Sequence, residues 1–328
     1  TCRSCESTCP SGVEYGQLVD IGRKLVDERV PRPMGERALR WLLKEGLTSP
    51  LFGPAMKLGQ AVRGVLPAPL RAKVPEARAA GAWPRCEHPR KVLMLAGCVQ
   101  PSMAPNINAA TARVLDACGI QTLVAAEAGC CGAVKFHLGD HEGGKAHMRA
   151  NVDAWWPLVS AGAVEAIVMN ASGCGAMVKD YGHALQDDPA YADKAARISA
   201  LTRDLSELLP GIAAALQGRL RHGAPERPIA FHPPCTLQHA QQLRGGVEQH
   251  LGALGFRIER VACEPHLCCG SAGTYSVLQP ALATTLRDRK LSHLARTFGD
   301  QAPQLIVSAN IGCITHLQSG TGPPVCHW

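Results

Sequence analysis

The sequence predicts an α/β fold: two duplicated, open parallel-sheet domains preceded by a helical region and a short cysteine-rich start. Three observations predict it. Cysteines recur at matched spacing, Cys98 preceding Cys130 by 32 positions and Cys235 preceding Cys268 by 33, while Cys131 precedes Cys174 by 43 and Cys269 precedes Cys313 by 44. The stretches between them repeat as well, Leu115-Asp-Ala-Cys-Gly-Ile120 answering Leu251-Gly-Ala-Leu-Gly-Phe256 and Glu165-Ala-Ile-Val-Met169 answering Gln304-Leu-Ile-Val-Ser308. Within each half, short apolar runs alternate with helical patterns, as strands and crossover helices do in a parallel sheet.

Taken in order, residues 1–10 are the cysteine-rich start and residues 11–90 a basic helical linker region. The linker holds 14 Lys or Arg against 8 Asp or Glu, nearly all of the chain's net charge of +7. Arg37, Arg40 and Lys44 interleave with Leu39, Trp41, Leu42 and Leu43, and Met56, Leu58, Val62 and Leu66 follow at near-helical spacing. Such a pattern is a pair of amphipathic helices with a solvated basic face, or, in its sharper reading, a surface for a partner subunit or an anionic membrane.

The first domain is assigned to 91–222 and the second to 223–328. Each begins with a buried strand (Lys91 to Ala96; Pro228 to His232) that ends at a cysteine. A helix follows (Asn108 to Cys118; Gly245 to Leu254), then a short strand (Thr122 to Ala125; Arg257 to Val261) running into a Cys-Cys-Gly turn. Helical residues (Lys145 to Val159; Leu278 to Arg296) lead to a last strand (Ala166 to Asn170; Leu305 to Ala309) that stops four residues before its cysteine. Ligands of open α/β sheets gather beyond the carboxyl ends of the strands, and all four repeated cysteines of each half fall there.

Bulk composition narrows the function class. A chain of 328 residues at 46% hydrophobic and 19% charged can bury sizeable cores, and 4% aromatics leaves those cores to Ala, Leu, Val and Ile. Fifteen cysteines in a chain of this length, two pairs of them adjacent, read as metal ligation in a reducing compartment rather than as a disulfide scaffold. No run reaches the ~18 apolar residues of a membrane span and no signal peptide opens the chain, so a cytoplasmic protein is expected, one able to sit peripherally at the inner membrane. Thr1 is not an initiator methionine and the pattern from Cys2 is cut at its left edge, so the sequence reads as a fragment. Nucleic acid is excluded as a partner: no recognition motif accompanies the charge, and aromatics for stacking are few.

Cys2-x2-Cys5-x3-Cys9-Pro10 is the right-hand three quarters of the ferredoxin run C-x2-C-x2-C-x3-C-P, whose thiolates hold [4Fe-4S] cubanes and whose last cysteine serves a second cluster. Zinc is the structural alternative for C-x2-C, and the Cys-Pro ending favours iron-sulfur. In the repeats, Cys98, Cys130, Cys131 and Cys174, then Cys235, Cys268, Cys269 and Cys313, offer four soft thiolates per half, which select zinc, copper(I) or iron-sulfur clusters. Adjacent cysteines strain to reach one small tetrahedral zinc but can hold two irons of a cluster. Gly132 and Gly270 permit close backbone approach. Isolated cysteines are best read as plain buried side chains, and that reading is given to Cys86, Cys118, Cys263 and Cys326. His232, His239 and His316, close to these cysteines, could ligate metal or hydrogen-bond sulfur, but lone histidines are more often plain polar contacts and are read so; Lys135 and Lys179 could offset thiolate charge and are read as solvated lysines. No catalytic residue and no nucleotide-binding glycine loop is assigned.

These cysteine patterns resemble the CCG cysteine-rich domain, found in pairs in heterodisulfide reductase and in several iron-sulfur subunits. The wording of Thr1 to Pro10, of Phe231-His-Pro-Pro-Cys-Thr-Leu-Gln-His239, of Asn170-Ala-Ser-Gly-Cys174, of Gly270-Ser-Ala-Gly-Thr-Tyr-Ser276 and of Ser308-Ala-Asn-Ile-Gly-Cys-Ile-Thr-His-Leu-Gln318 is similar to the iron-sulfur subunits of bacterial glycolate oxidase. That resemblance implies an electron-transfer subunit of a flavin-dependent glycolate oxidase, with FAD on partner flavin-containing subunits and electrons passing to a downstream acceptor, peripheral at the membrane or quinone-linked. It implies [4Fe-4S] cubanes in the intact ferredoxin module and a cluster or zinc in the CCG domains. The fullest form of the domain carries a further cysteine where this chain has Ala171 and Asn310, which puts a disulfide-cleaving site in doubt. The competing assignments are a heterodisulfide-reductase-like thiol/disulfide subunit, an iron-sulfur subunit of a lactate or glycerol-3-phosphate dehydrogenase, and a zinc-stabilised assembly protein.

Overall fold

A computed structural model describes residues 2–67, 71, 74–220 and 227–328. The boundary expected between 222 and 223 lies outside the described residues, as does Thr1. The chain separates into two compact units. One comprises Glu14–Met169 and Met177–Arg203, the other Thr1–Val13, Asn170–Ala176 and Asp204–Trp328.

Two four-stranded sheets realise the duplication. In the first, β1 (Arg90–Met94) lies between β2 (Ile120–Leu123) and β3 (Ala166–Met169), parallel to both, and β4 (Thr202–Asp204) flanks β3. In the second, β5 (Ile229–Phe231) lies between β6 (Ile258–Arg260) and β7 (Leu305–Ser308), and β8 (Val325–His327) flanks β7, again all parallel. The strand orders 2-1-3-4 and 6-5-7-8 are one topology drawn twice. The central strands are Val, Leu, Ile and Met because helices cover both faces of a parallel sheet; Val92, Leu93 and Met94 of β1 and Ile167 and Val168 of β3 have no exposed surface.

Each expected element is present with ends shifted by a few residues. The long crossover helices span His141–Ser160 and Pro280–Ala295. On the first, Gly144, Met148, Asn151, Val152, Trp155 and Val159 are buried, a single stripe at helical period, and the Asp140 side chain caps its start by accepting from Gly143 N at 3.0 Å. The second core joins Ile229, Phe231, Leu237, Val247, Ile258 and Val307.

Three features depart from the sequence reading. Helices Ser172–Lys179 and Ile311–Gln318 carry the last cysteine of each half, where the sequence reading assigned no element. A fourth strand completes each sheet. Among the described residues the basic linker forms three α-helices rather than two, Tyr15–Arg29, Met34–Thr48 and Phe52–Ala61, and its exposed side includes apolar groups: Met34 is 84% exposed, Trp41 62% and Leu42 58%.

Candidate metal centre

The second half brings its four repeated cysteines together at the carboxyl ends of β5, β6 and β7. Cys235 lies four residues past β5, Cys268 and Cys269 follow β6, and Cys313 stands in the first turn of the helix after β7. Cys235, Cys269 and Cys313 are buried and Cys268 is half-buried. The Cys235 and Cys269 thiols donate to Cys268, and Cys269 also donates to Cys313. With Gly270 N donating to its sulfur at 3.3 Å, Cys268 is held as a thiolate, its pKa pulled down to about 2. Cys313 falls to about 6 through Cys269 and the His232 ring, against the upward push of burial. The two donors, Cys235 and Cys269, are correspondingly driven up. Negative charge buried among sulfurs needs a compensating cation.

The Cys-Cys-Gly turn is shaped by its glycine. Gly270 has φ +88°, and a Cβ there would run into the carbonyl oxygen of Ala283 on the long helix. Gly132 repeats the arrangement at φ +87°, its missing Cβ facing Gly144 O at 2.7 Å. Only glycine gives both the left-handed backbone and the close approach that turns two successive cysteines inward.

Two turns of helix further from each contact sits a bracing residue, Asn151 seven positions after Gly144 and Lys290 seven after Ala283. Asn151 accepts from Gly129 N at 2.9 Å and donates to Cys130 O at 2.9 Å, while Tyr181 OH donates to Cys131 O at 2.9 Å. Lys290, fully buried, donates to Glu264 O at 2.7 Å. Burial pushes its ammonium down to about 8, while Cys269 and Cys268 pull it up. Glu264 is in turn held by Arg289 and by His293 Nε2 at 2.7 Å.

In the first half, Cys98, Cys130 and Cys131 converge past β1 and β2. Cys130 accepts from Cys131, Cys98 and Gly132 N and drops to about 3. Cys174, on helix Ser172–Lys179, belongs to a segment that groups with the other compact unit. Of the amino-terminal cysteines, Cys5 lies within the short helix Ser4–Thr8, Cys2 precedes it and Cys9 caps its end. That turn packs on the π-helical turn Thr236–Ala240 that follows Cys235. Cys2 is close enough to add to the upward push on the Cys235 thiol. Cys9 is pulled down by the backbone N–H groups of Val13 and Ser11.

The histidines separate. His239 Nε2 donates to His266 O at 3.3 Å, which fixes the tautomer, so Nδ1 accepts from Ser7 Oγ at 2.8 Å. His316 Nε2 donates to Ala283 O at 3.1 Å. His232 is fully buried with no nitrogen or oxygen partner at either ring nitrogen, and its ring, Cys269 Sγ and Cys313 Sγ lie within 4.8 Å of one another. A polar-contact reading therefore holds for His239 and His316 and fails for His232. Lys135 is not solvated but paired with Glu45 at 2.9 Å. Cys86 and Cys263 are exposed rather than buried, because they lie in loops outside both cores. Sequence reasoning gave Lys290 no role; its signal was a lysine at the Asn151 position of the repeat.

Converging soft sulfurs, an orphaned imidazole and a buried ammonium suit a soft-metal or iron-sulfur group in the second half. Comparison with known proteins points the same way. The cysteine-rich domain family, CCG, matches residues 92–179 and 229–318. The glycolate oxidase iron-sulfur subunit of Escherichia coli K12 is 51% identical over 333 residues, covering 100% of this chain and 79% of that protein. The probable glycolate oxidase iron-sulfur subunit of Bacillus subtilis is 29% identical over 348 residues, 97% of this chain and 76% of that protein. Lactate utilization protein A of Halalkalibacterium halodurans is 23% identical over 231 residues, 69% of this chain and 88% of that protein.

Proposed function

Since the chain belongs to the iron-sulfur subunits of glycolate oxidase, built on paired CCG cysteine-rich domains, we propose that it carries electrons from a flavin-bearing partner, where glycolate becomes glyoxylate, to a downstream acceptor. The observation that carries this reading is the convergence of Cys235, Cys268, Cys269 and Cys313, three of them buried, at a sheet's carboxyl edge in the second half. Iron-sulfur groups, when bound, supply one-electron transfer without making or breaking substrate bonds. Every other role falls to the chain.

In this reading Cys98, Cys130, Cys131 and Cys174 serve the first CCG centre, the four cysteines named above the second, and Cys2, Cys5 and Cys9 belong to the ferredoxin module as [4Fe-4S] ligands. Gly132 N and Gly270 N donate toward sulfur and lower the cost of its negative charge. Lys290 supplies a buried positive charge beside the second centre. The packing of Ser4–Thr8 on Thr236–Ala240, with Ser7 bonded to His239, sets the ferredoxin cysteines next to that centre in one compact unit. The basic and apolar helices of residues 15–61 offer a face to the flavin subunit. No described helix is long and apolar enough to cross a membrane.

The test is electron paramagnetic resonance of the full-length subunit purified without oxygen, with iron and zinc counted. Reducible signals with iron in excess of the ferredoxin module are expected. The double variant C268S/C269S should abolish glycolate-dependent reduction of an acceptor by the assembled complex and leave the flavin subunit's own reduction by glycolate intact. Zinc as the sole metal would sink the electron-transfer reading.

A further inference from the structure

His232 is a buried imidazole that no protein nitrogen or oxygen satisfies. Leaving such a group unpaired in a core is costly, and native cores rarely do so without a ligand or a reactive role. Its surroundings supply the reason. One ring nitrogen, Cys269 Sγ and Cys313 Sγ lie within 4.8 Å of one another, and all three residues are buried. The equivalent position of the first half, three residues before its first cysteine, is Leu95, a core side chain. A strand-end site that takes leucine in one copy does not need a polar group for folding.

Neighbouring donors that could compete are already committed. Asn310 Oδ1 accepts from Gly312 N at 3.0 Å, capping helix Ile311–Gln318, and its Nδ2 donates to Ser172 Oγ at 3.4 Å. His239 and His316 are tied to backbone carbonyls. Pro233 and Pro234, directly after His232, stiffen the strand exit toward Cys235.

We propose that His232 is a nitrogen ligand of the second domain's metal centre, joining Cys269 and Cys313, so that this centre carries a neutral imidazole for which the first domain has no counterpart at Leu95. The inference rests on the reading that the second domain holds a metal. An imidazole joins the ligand set without adding negative charge, whereas a thiolate at the same position would add one and lower the reduction potential of an iron-sulfur centre.

The experiment uses the full-length protein, purified without oxygen from cells fed [15N]histidine, as wild type, H232A, H232C and C268S/C269S. Metal lost in C268S/C269S is the second-domain metal; if none is lost, the metal reading itself fails. Where it is lost, pulsed electron paramagnetic resonance of the wild type is expected to show the strong 15N coupling of a directly bound imidazole. H232A should lose that coupling together with at least half of the second-domain metal. H232C should regain the metal without the coupling and titrate at a more negative potential. Second-domain metal without strong 15N coupling, or coupling that persists in H232A, overturns the assignment. Should the metal be zinc, the difference in zinc-edge X-ray absorption between wild type and C268S/C269S decides: a nitrogen among the sulfurs supports the ligand, and sulfur alone rejects it.

Discussion

At the scale of single residues, the two halves solve one problem with different chemistry. Both must hold a Cys-Cys-Gly turn against a long helix, and both do so from the same helical position. Asn151 does it with a neutral amide, whereas Lys290 brings a full charge into a site of buried thiolates. Replacing Lys290 by Met keeps the stem's volume and removes that charge, so the second centre should become harder to reduce, by on the order of 60 mV, a tenfold change in a one-electron equilibrium. Lys290→Arg should recover most of the shift. A redox titration of the full-length protein reads both, and an unchanged potential in Lys290→Met would leave the lysine only its bond to Glu264 O. Gly270→Ala makes a harsher demand. The left-handed backbone costs a non-glycine residue about 1–3 kcal/mol, and the new methyl meets Ala283 O. Thermal unfolding should shift down and second-domain metal should fall, whereas Gly252→Ala, on a helix with open space at its Cβ, should be neutral or stabilising.

At the scale of elements, legibility in the sequence followed the periodicities. The first three strands of each half and both long helices were readable because their apolar runs are short and the cysteine spacing punctuates them. The fourth strand of each sheet was not. Thr202-Arg-Asp204 and Val325-Cys-His327 hold three residues each and lack a hydrophobic run; only the neighbouring strand makes them strands. Helix Ile311–Gln318 was hidden because its start is signalled by Asn310, a cap that had been weighed only as a missing cysteine. The converging cysteines of the second half were legible from spacing, and His232 only as one of three histidines that could ligate, since nothing in one sequence distinguishes an imidazole with partners from one without. A further element-scale property concerns helix Tyr15–Arg29, which is anchored to the first domain by Asp20, bonded to His137 Nδ1 at 3.2 Å and Arg23 at 3.3 Å. Burial pushes the Asp20 carboxyl up, but His137 and Arg23 override it and hold it below the ordinary carboxylate value. Because the folded value is the lower one, the anchor is at full strength above about pH 4 and weakens as pH falls through the folded value. The protection of amides across residues 15–29, taken relative to the intrinsic exchange rate at each pH, should fall on acidification in the wild type. In Asp20→Asn it should already be lower at neutral pH and change little with acidification.

At the scale of the whole molecule, the compact units do not follow chain order. The amino-terminal cysteines join the second CCG domain although more than two hundred residues separate Cys9 from Cys235. The intervening basic helices go with the first domain, and there they leave Met34, Trp41, Leu42, Leu51 and Leu58 exposed. Large apolar side chains exposed together among arginines and lysines match the composition of interface cores, which are rich in aromatic residues, Met and Arg. Internal stability explains the ion pairs on these helices, such as Arg32 with Asp27 at 2.8 Å and with Glu36 at 2.7 Å, but it gives no reason for a half-exposed tryptophan on the same helix as Glu36. The proposed docking of a flavin-bearing partner supplies one. Trp41→Asp places a charge where the partner would bury an aromatic ring, and losing ~2 kcal/mol of burial should weaken co-purification of the flavin subunit at least tenfold. Metal content and the unfolding profile of the isolated subunit should stay unchanged, since Trp41 lies outside the core. Arg37→Glu with Arg40→Glu should instead weaken association mainly at low salt, where unscreened charge speeds encounter. Equal binding by Trp41→Asp and wild type would move the docking face elsewhere on the chain.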